Sequence, residues 1–125
     1  MESQFDRVIR VSPIIGDQAH KDNLVVLERP DLNHTLTKLH VFNIDNVDQI
    51  VYLDCDVLVL GKIEELFSFV DDALFAAAPD IGWPDCFNSG VFATRPSQSL
   101  FLSLLEFSKS NTSFDGPFSS AIFQI

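Results

Sequence analysis

Basic residues are scarce in this 125-residue chain: eight lysines and arginines face 18 aspartates and glutamates, for a formal net charge of −10. Proteins that bind nucleic acids or anionic membrane surfaces need lysine and arginine to replace the counterions of phosphate groups. The charge therefore argues against both kinds of partner. The length suits one domain, and a hydrophobic share of 46% argues against disorder.

Cysteine and glycine are also scarce, and long apolar segments are absent. Two cysteines, Cys55 and Cys86, fit a reducing compartment better than a disulfide scaffold. The five glycines form no phosphate-binding loop of the P-loop type. No apolar run approaches the roughly 18 residues that span a bilayer, and the first residues lack the pattern of a signal peptide. We therefore expect a cytoplasmic protein.

The acidic residues are concentrated in the middle of the chain. Residues 39–94 contain ten acids and one base, Lys62. Most of these acids are expected to form a solvated acidic face. A few are candidates for binding a divalent cation, because Mg²⁺ and Mn²⁺ prefer carboxylate oxygens as ligands.

Strand-like and helix-like segments alternate along the chain. β-Branched and apolar runs predict strands, whereas amphipathic spacing and N-cap residues predict helices. The predicted strands cover residues 5–11, 50–54, 74–78 and 87–93, and the predicted helices begin at Thr35, Ile63 and Pro96. The alternation indicates an α/β architecture. The continuous apolar run before Asp54 is typical of strands in parallel sheets, so we expect a mixed, mostly parallel sheet flanked by helices.

The most informative segment is Ile50–Leu60, where Asp54 and Asp56 follow one apolar run and precede another. Carboxylates just past the carboxyl end of a buried strand lie where open α/β sheets bind ligands. Two such carboxylates can share one Mn²⁺ or Mg²⁺ and leave positions for a diphosphate and water. The alternative is that both acids only cap the end of the strand.

Two enzyme classes use this pattern of acids. In metal-dependent nucleotide-sugar glycosyltransferases, the acids hold the metal and the metal holds the sugar diphosphate. In haloacid-dehalogenase-like phosphatases, the first aspartate is the nucleophile and the second is the general acid. The phosphatase also needs a later lysine and an acidic metal pair near a glycine, and no GDxxxD pattern follows Asp56. The phosphatase is therefore the more distant alternative.

Five segments resemble the motifs of the glycogenin family of retaining glycosyltransferases, in the family's order and nearly at its spacing. The segments are Arg29–Leu32, Thr35–His40, Tyr52–Leu60, Ala78–Phe92 and Ser113–Gly116. The resemblance covers residues 5–116, and the stretch GWPDCFNSGVF is its most specific part. It implies a partial GT-A (Rossmann-like) domain over residues 1–125 with a divergent tail at 117–125. It also implies transfer of glucose from UDP-glucose to a tyrosine or a glucan primer, the initiation of glycogen biosynthesis.

The resemblance also implies roles for individual residues around the donor. Asp54 and Asp56 resemble the Mn²⁺ ligands, with Mg²⁺ as the other candidate cation, and the Cys55 backbone would lie against the UDP. Arg29 and Lys38 resemble the basic groups around the nucleotide sugar, where a cation offsets the charge of the departing diphosphate.

Four further residues are candidates for contacts with the sugar. Asn88 and Ser89 resemble sugar-binding residues, since an asparagine offers hydroxyl groups both a donor and an acceptor. Asn88 could instead satisfy backbone groups at the strand end. Asp115 resembles a carboxylate that holds glucose hydroxyls, and Asp80 is a candidate for the same task. Lys38 and Asp115 are the catalytic candidates.

The sequence departs from the family pattern after Gly116. Phe118 stands where the family has a catalytic carboxylate, and an aromatic ring cannot stabilise an oxocarbenium-like centre in the same way. The family's third metal ligand has no counterpart in the 125 residues. Its acceptor tyrosine has none either, because the one tyrosine, Tyr52, lies in the metal-motif strand. We therefore expect little or no transferase activity. The alternative from another class is a non-catalytic partner that associates with itself, with a full-length homologue or with glycogen synthase.

Overall fold

The computed structural model describes residues 4–16, 30–81 and 87–108, which contain three helices and three strands. In chain order they are a helix at Pro30–Asn43, strand β1 (Ile50–Leu53), a helix at Glu64–Val70, strands β2 (Phe75–Pro79) and β3 (Phe87–Thr94), and helix α1 (Gln98–Phe107). The first two helices have 3₁₀ geometry. The α/β architecture is confirmed. In the described parts of the chain, no helix is long and apolar enough to cross a membrane.

Three described strands form one antiparallel sheet in the order β1–β3–β2. In the register of β1 with β3, Leu53 faces Val91, and in that of β2 with β3, Pro79 faces Phe87. The prediction of a mostly parallel sheet is therefore wrong for these strands. A parallel pairing needs a crossover of about a dozen residues or more, and residues 80–86 are too few for one between β2 and β3.

The strand directions decide which residues share an edge of the sheet. Both β1 and β2 run antiparallel to β3, so their carboxyl ends lie at the same edge as the start of β3. This edge therefore carries the residues that follow β1 and β2, Asp54 and Asp80, beside Asn88 at the start of β3. Asp54 thus follows the carboxyl end of an apolar strand, as predicted, although the described sheet is antiparallel.

The core lies between the sheet and two helices. Its buried residues are contributed by the Pro30–Asn43 helix, β3 and α1, and they are Leu36, Leu39, Phe42, Phe92, Phe101 and Leu104. The helical members of this core are three residues apart, at positions 36, 39 and 42 and at positions 101 and 104. Apolar residues at this spacing predict one apolar face on each helix. The first helix begins at Pro30 rather than after Thr35, because proline is tolerated in a first helical turn.

The strand predicted at residues 5–11 is absent, and residues 7–16 have neither helical nor strand structure. The segment instead contacts the first helix, where Ile14 N donates to Thr37 Oγ1 at 3.1 Å and Ser12 O lies 2.9 Å from His40 Nε2. β-Branched residues favour a strand only where a neighbouring strand can pair with them, and none in the described sheet pairs with this segment.

Arg95 joins the end of β3 to the end of the second helix. Its Nε donates to Val70 O at 2.5 Å and a terminal nitrogen donates to Asp71 O at 3.0 Å. Carbonyl groups in the last turn of a helix lack intrahelical partners, so the guanidinium supplies donors that the helix cannot.

Replacing Arg95 with methionine is expected to lower the free energy of unfolding by about 2 kcal/mol, because it removes two charge-assisted hydrogen bonds and keeps an apolar stem. Urea denaturation followed by circular dichroism measures the change. The control is Lys62→Met at an exposed position, where a change within about 0.5 kcal/mol is expected. Equal stability of the two variants would contradict this role of Arg95.

Candidate functional site

The chain turns sharply at the end of β1, and the turn places Asp54. Asp54 N donates to Gly90 O at 2.8 Å, which extends the β1–β3 pairing by one residue. Val57 N then donates to Asp54 O at 3.1 Å and closes a tight turn. Asp54 is therefore held on the sheet, while Cys55 and Asp56 lie exposed in the turn.

An ion pair joins the first helix to this edge of the sheet. Lys38 Nζ lies 2.7 Å from Asp54 Oδ2, and the two side chains are 24% and 27% exposed. The same nitrogen lies 3.5 Å from Ser89 Oγ. The fold thus brings together Lys38, Asp54 and Ser89, three of the predicted site residues, from three separate segments of the chain.

Tyr52 contacts the same carboxylate from the other side. Its hydroxyl donates to Asp54 Oδ1 at 2.7 Å, and Lys38 Nζ lies 5.6 Å from the centroid of its ring. The pKa of Tyr52 is raised well above its ordinary value, mainly because the ring is partly buried. The hydrogen bond to Asp54 and the nearby negative charges raise the pKa further. The hydroxyl therefore remains a protonated donor at neutral pH.

The motifs give Tyr52 no role at the site, because its place in the metal-motif strand makes it a poor sugar acceptor. A signal for its actual contact was present, because residues i and i+2 of a strand point to the same face of the sheet. A half-buried tyrosine also usually finds a partner for its hydroxyl. The spacing of Tyr52 and Asp54 thus satisfied both conditions for a hydrogen bond.

Gly90 leaves room between two of the predicted site residues. A Cβ atom at this position would lie 2.9 Å from Asn88 Oδ1 and 3.4 Å from Asp54 Oδ2. Asn88 Oδ1 accepts a hydrogen bond from Gly90 N at 2.7 Å, as expected for an asparagine that satisfies backbone groups. The exposed Asn88 side chain and the Asp54 carboxylate therefore face the same small space above the glycine.

The remaining predicted residues are placed less closely. Asp80 is half-buried and follows Pro79, the last residue of β2, so it lies at the same edge of the sheet. Arg29 and Asp115 lie outside the described residues, as do Trp83 and Cys86.

The donor set at this edge decides what kind of cation it fits. Among the residues that the structure describes, no three histidine, cysteine, aspartate or glutamate side chains form a group that could hold a metal ion. Mg²⁺ is commonly bound by one or two carboxylates and completes its shell with phosphate oxygens and water. Asp54 and Asp56 therefore fit a cation that arrives with a diphosphate, and do not form a cage by themselves.

Comparisons with known proteins agree with the resemblance drawn from the motifs. Human Glycogenin-1 is 45% identical over 117 residues, which are 93% of this chain and 32% of that protein. Human Glycogenin-2 is 48% identical over 112 residues, 90% of this chain and 21% of that protein. Glycogenin-1 of Caenorhabditis elegans is 43% identical over 116 residues, 93% of this chain and 26% of that protein.

The chain thus spans about a third or less of the length of these curated relatives. A family model described as glycosyl transferase family 8 matches residues 2–114, which is nearly the whole chain and includes every described element. The expected GT-A type of fold and the resemblance to glycogenins are confirmed by these matches, and the chain belongs to glycosyl transferase family 8.

Proposed function

We propose that this chain binds UDP-glucose together with a divalent cation, and that Asp54 and Asp56, which follow β1 at one edge of the sheet, hold the cation. The observation that carries this proposal is the contact of Lys38 Nζ with Asp54 Oδ2 at 2.7 Å. This contact places a positive charge next to a carboxylate that fits a diphosphate-bound cation. The resemblance to glycogenins makes UDP-glucose the donor and Mn²⁺ the first cation to test, with Mg²⁺ as the second.

Charge is the first contribution of these residues to glycosyl transfer. The bound cation supplies positive charge to the diphosphate, and Asp54 and Asp56 would hold it. Lys38 adds a second positive charge within reach, and so offsets the negative charge that grows on the diphosphate when its bond to the sugar breaks. In such a transfer the acceptor oxygen forms the new bond to the same sugar carbon, on the same face, as the bond to the diphosphate breaks, and its proton passes to an oxygen of the departing diphosphate.

Orientation of the sugar is the second contribution. Ser89 Oγ lies 3.5 Å from Lys38 Nζ, and the Asn88 side chain is exposed at the same edge, so both can contact sugar hydroxyls. Asp80 is placed to reach this edge from β2. In this proposal Arg29 contacts the nucleotide and Asp115 holds glucose hydroxyls, as the resemblance implies.

The proposal assigns the 125-residue chain binding of the donor but not efficient transfer of glucose. In the resemblance Phe118 stands where the family has its catalytic carboxylate, so we expect the 125-residue chain to bind the donor and to transfer glucose to a tyrosine or glucan weakly or not at all. A cytoplasmic location is part of the same proposal. Co-purification with a full-length homologue would favour the non-catalytic partner role, and a monodisperse monomer beside that homologue would count against it.

Isothermal titration of the purified chain with UDP-glucose tests the proposal. We expect binding in the presence of Mn²⁺ and its loss when EDTA replaces Mn²⁺, because the phosphates would then face two carboxylates without a cation between them. UMP, which lacks the second phosphate, and glucose alone serve as matched controls and should bind more weakly. Equal affinity for UDP-glucose with and without EDTA would overturn the cation site.

A further inference from the structure

The position of the Tyr52 hydroxyl is set by the protein core. The Tyr52 ring stacks on Phe92, with ring centroids 4.7 Å apart and ring planes at 18°. Phe92 is 3% exposed and stacks in turn on Phe42, which is 1% exposed, at 5.9 Å and 4°. Because the stacked rings are fixed by close packing, the hydroxyl at the end of Tyr52 has a fixed place at the edge of the sheet.

The Asp54 carboxylate is held at both of its oxygen atoms. Tyr52 Oη donates to Oδ1 and Lys38 Nζ donates to Oδ2, each at 2.7 Å. An ionised carboxylate has about four lone-pair sites, so two donors leave further sites for a cation. Rotation of the carboxylate would stretch both hydrogen bonds, and the pair of donors therefore holds it in one orientation.

We propose that Tyr52 is a positioning residue for the cation site, because its hydroxyl fixes the orientation of the Asp54 carboxylate before the cation binds. This inference rests on the proposed function and assigns Tyr52 a role that the motif itself does not. Stacking on Phe92 needs only the ring, and Lys38 already balances the charge of Asp54. The hydroxyl therefore adds orientation, and a ligand that is oriented beforehand loses less freedom on binding.

The variant Tyr52→Phe tests the proposal, because it removes the hydroxyl and keeps the ring stack. Loss of a group that orients a metal ligand typically weakens metal affinity by about 10- to 100-fold, and we expect a loss of this size for Mn²⁺ in the presence of UDP. Electron paramagnetic resonance of free Mn²⁺ during a titration of the 125-residue chain measures this affinity.

A matched control removes a buried hydroxyl at the opposite end of the sheet. Thr94 is fully buried, faces Ile50 and Phe75 in the register, and its Oγ1 donates to Leu74 O at 3.0 Å. Thr94→Val should lower the thermal unfolding midpoint at least as much as Tyr52→Phe and leave Mn²⁺ affinity unchanged.

The outcomes separate this inference from the proposed function. If Tyr52→Phe binds Mn²⁺ as tightly as the unsubstituted chain does, the positioning role is overturned and the proposed cation site is not. An equal loss of affinity in Thr94→Val overturns it as well, since the effect would then follow from stability alone. A parent chain that does not bind Mn²⁺ in the presence of UDP overturns both proposals.

Discussion

Replacing Asp54 with asparagine is expected to lower the affinity of the chain for UDP-glucose with Mn²⁺ by more than about 100-fold. Loss of a group that only orients a ligand costs about 10- to 100-fold, and Asp54 is proposed to be a ligand itself. The substitution also leaves Lys38, whose side chain is 24% exposed, without its carboxylate partner at 2.7 Å. Isothermal titration with UDP-glucose in Mn²⁺ buffer measures the effect.

The control is Asp48→Asn, which changes the net charge by the same amount at an exposed position before β1. It should bind UDP-glucose as the parent does. Unchanged affinity in Asp54→Asn would contradict the proposed cation site. Release of phosphate from an aryl phosphate by the parent, lost in Asp54→Asn, would instead favour the phosphatase class, in which this aspartate is the nucleophile.

Replacing Phe92 with alanine is expected to destabilise the chain by about 3–5 kcal/mol, the usual cost of removing a buried phenylalanine side chain. Phe92 is 3% exposed, and its ring lies within 6 Å of three others, those of Tyr52, Phe75 and Phe42, at 4.7, 5.4 and 5.9 Å between centroids. Small domains have about 5–15 kcal/mol of stability in total, so a loss of this size removes a large share of it. Urea denaturation followed by far-ultraviolet circular dichroism measures the change.

Phe69→Ala is the matched control, because it makes the same substitution at a side chain that is 61% exposed. Its free energy of unfolding should change by less than about 1 kcal/mol, as at most surface positions. If Phe92→Ala were no less stable than Phe69→Ala, the stacked rings would not form the centre of the core.

Local patterns predicted most of the elements. The spacing of Leu36, Leu39 and Phe42 predicted the buried face of the first helix, and all three are at most 3% exposed. A helix was expected to begin at Pro96, and the Oγ of the next residue, Ser97, accepts a hydrogen bond from Leu100 N at the start of α1. Such features depend on residues within one or two turns of each other, so the order of residues alone reveals them. The strand expected at residues 5–11 failed because a strand also needs a partner.

The sequence by itself determined the family, the α/β alternation of elements and the pair of acids, Asp54 and Asp56, at the end of an apolar strand. Only the tertiary structure decided that the described strands pair antiparallel, and that Asp54 lies between Lys38 and Tyr52 with Ser89 close by. The physical reason is distance along the chain. Strand pairing and the Lys38–Asp54 contact join segments that are far apart in sequence, and their geometry follows from packing of the core and the length of the connections, which no local pattern encodes.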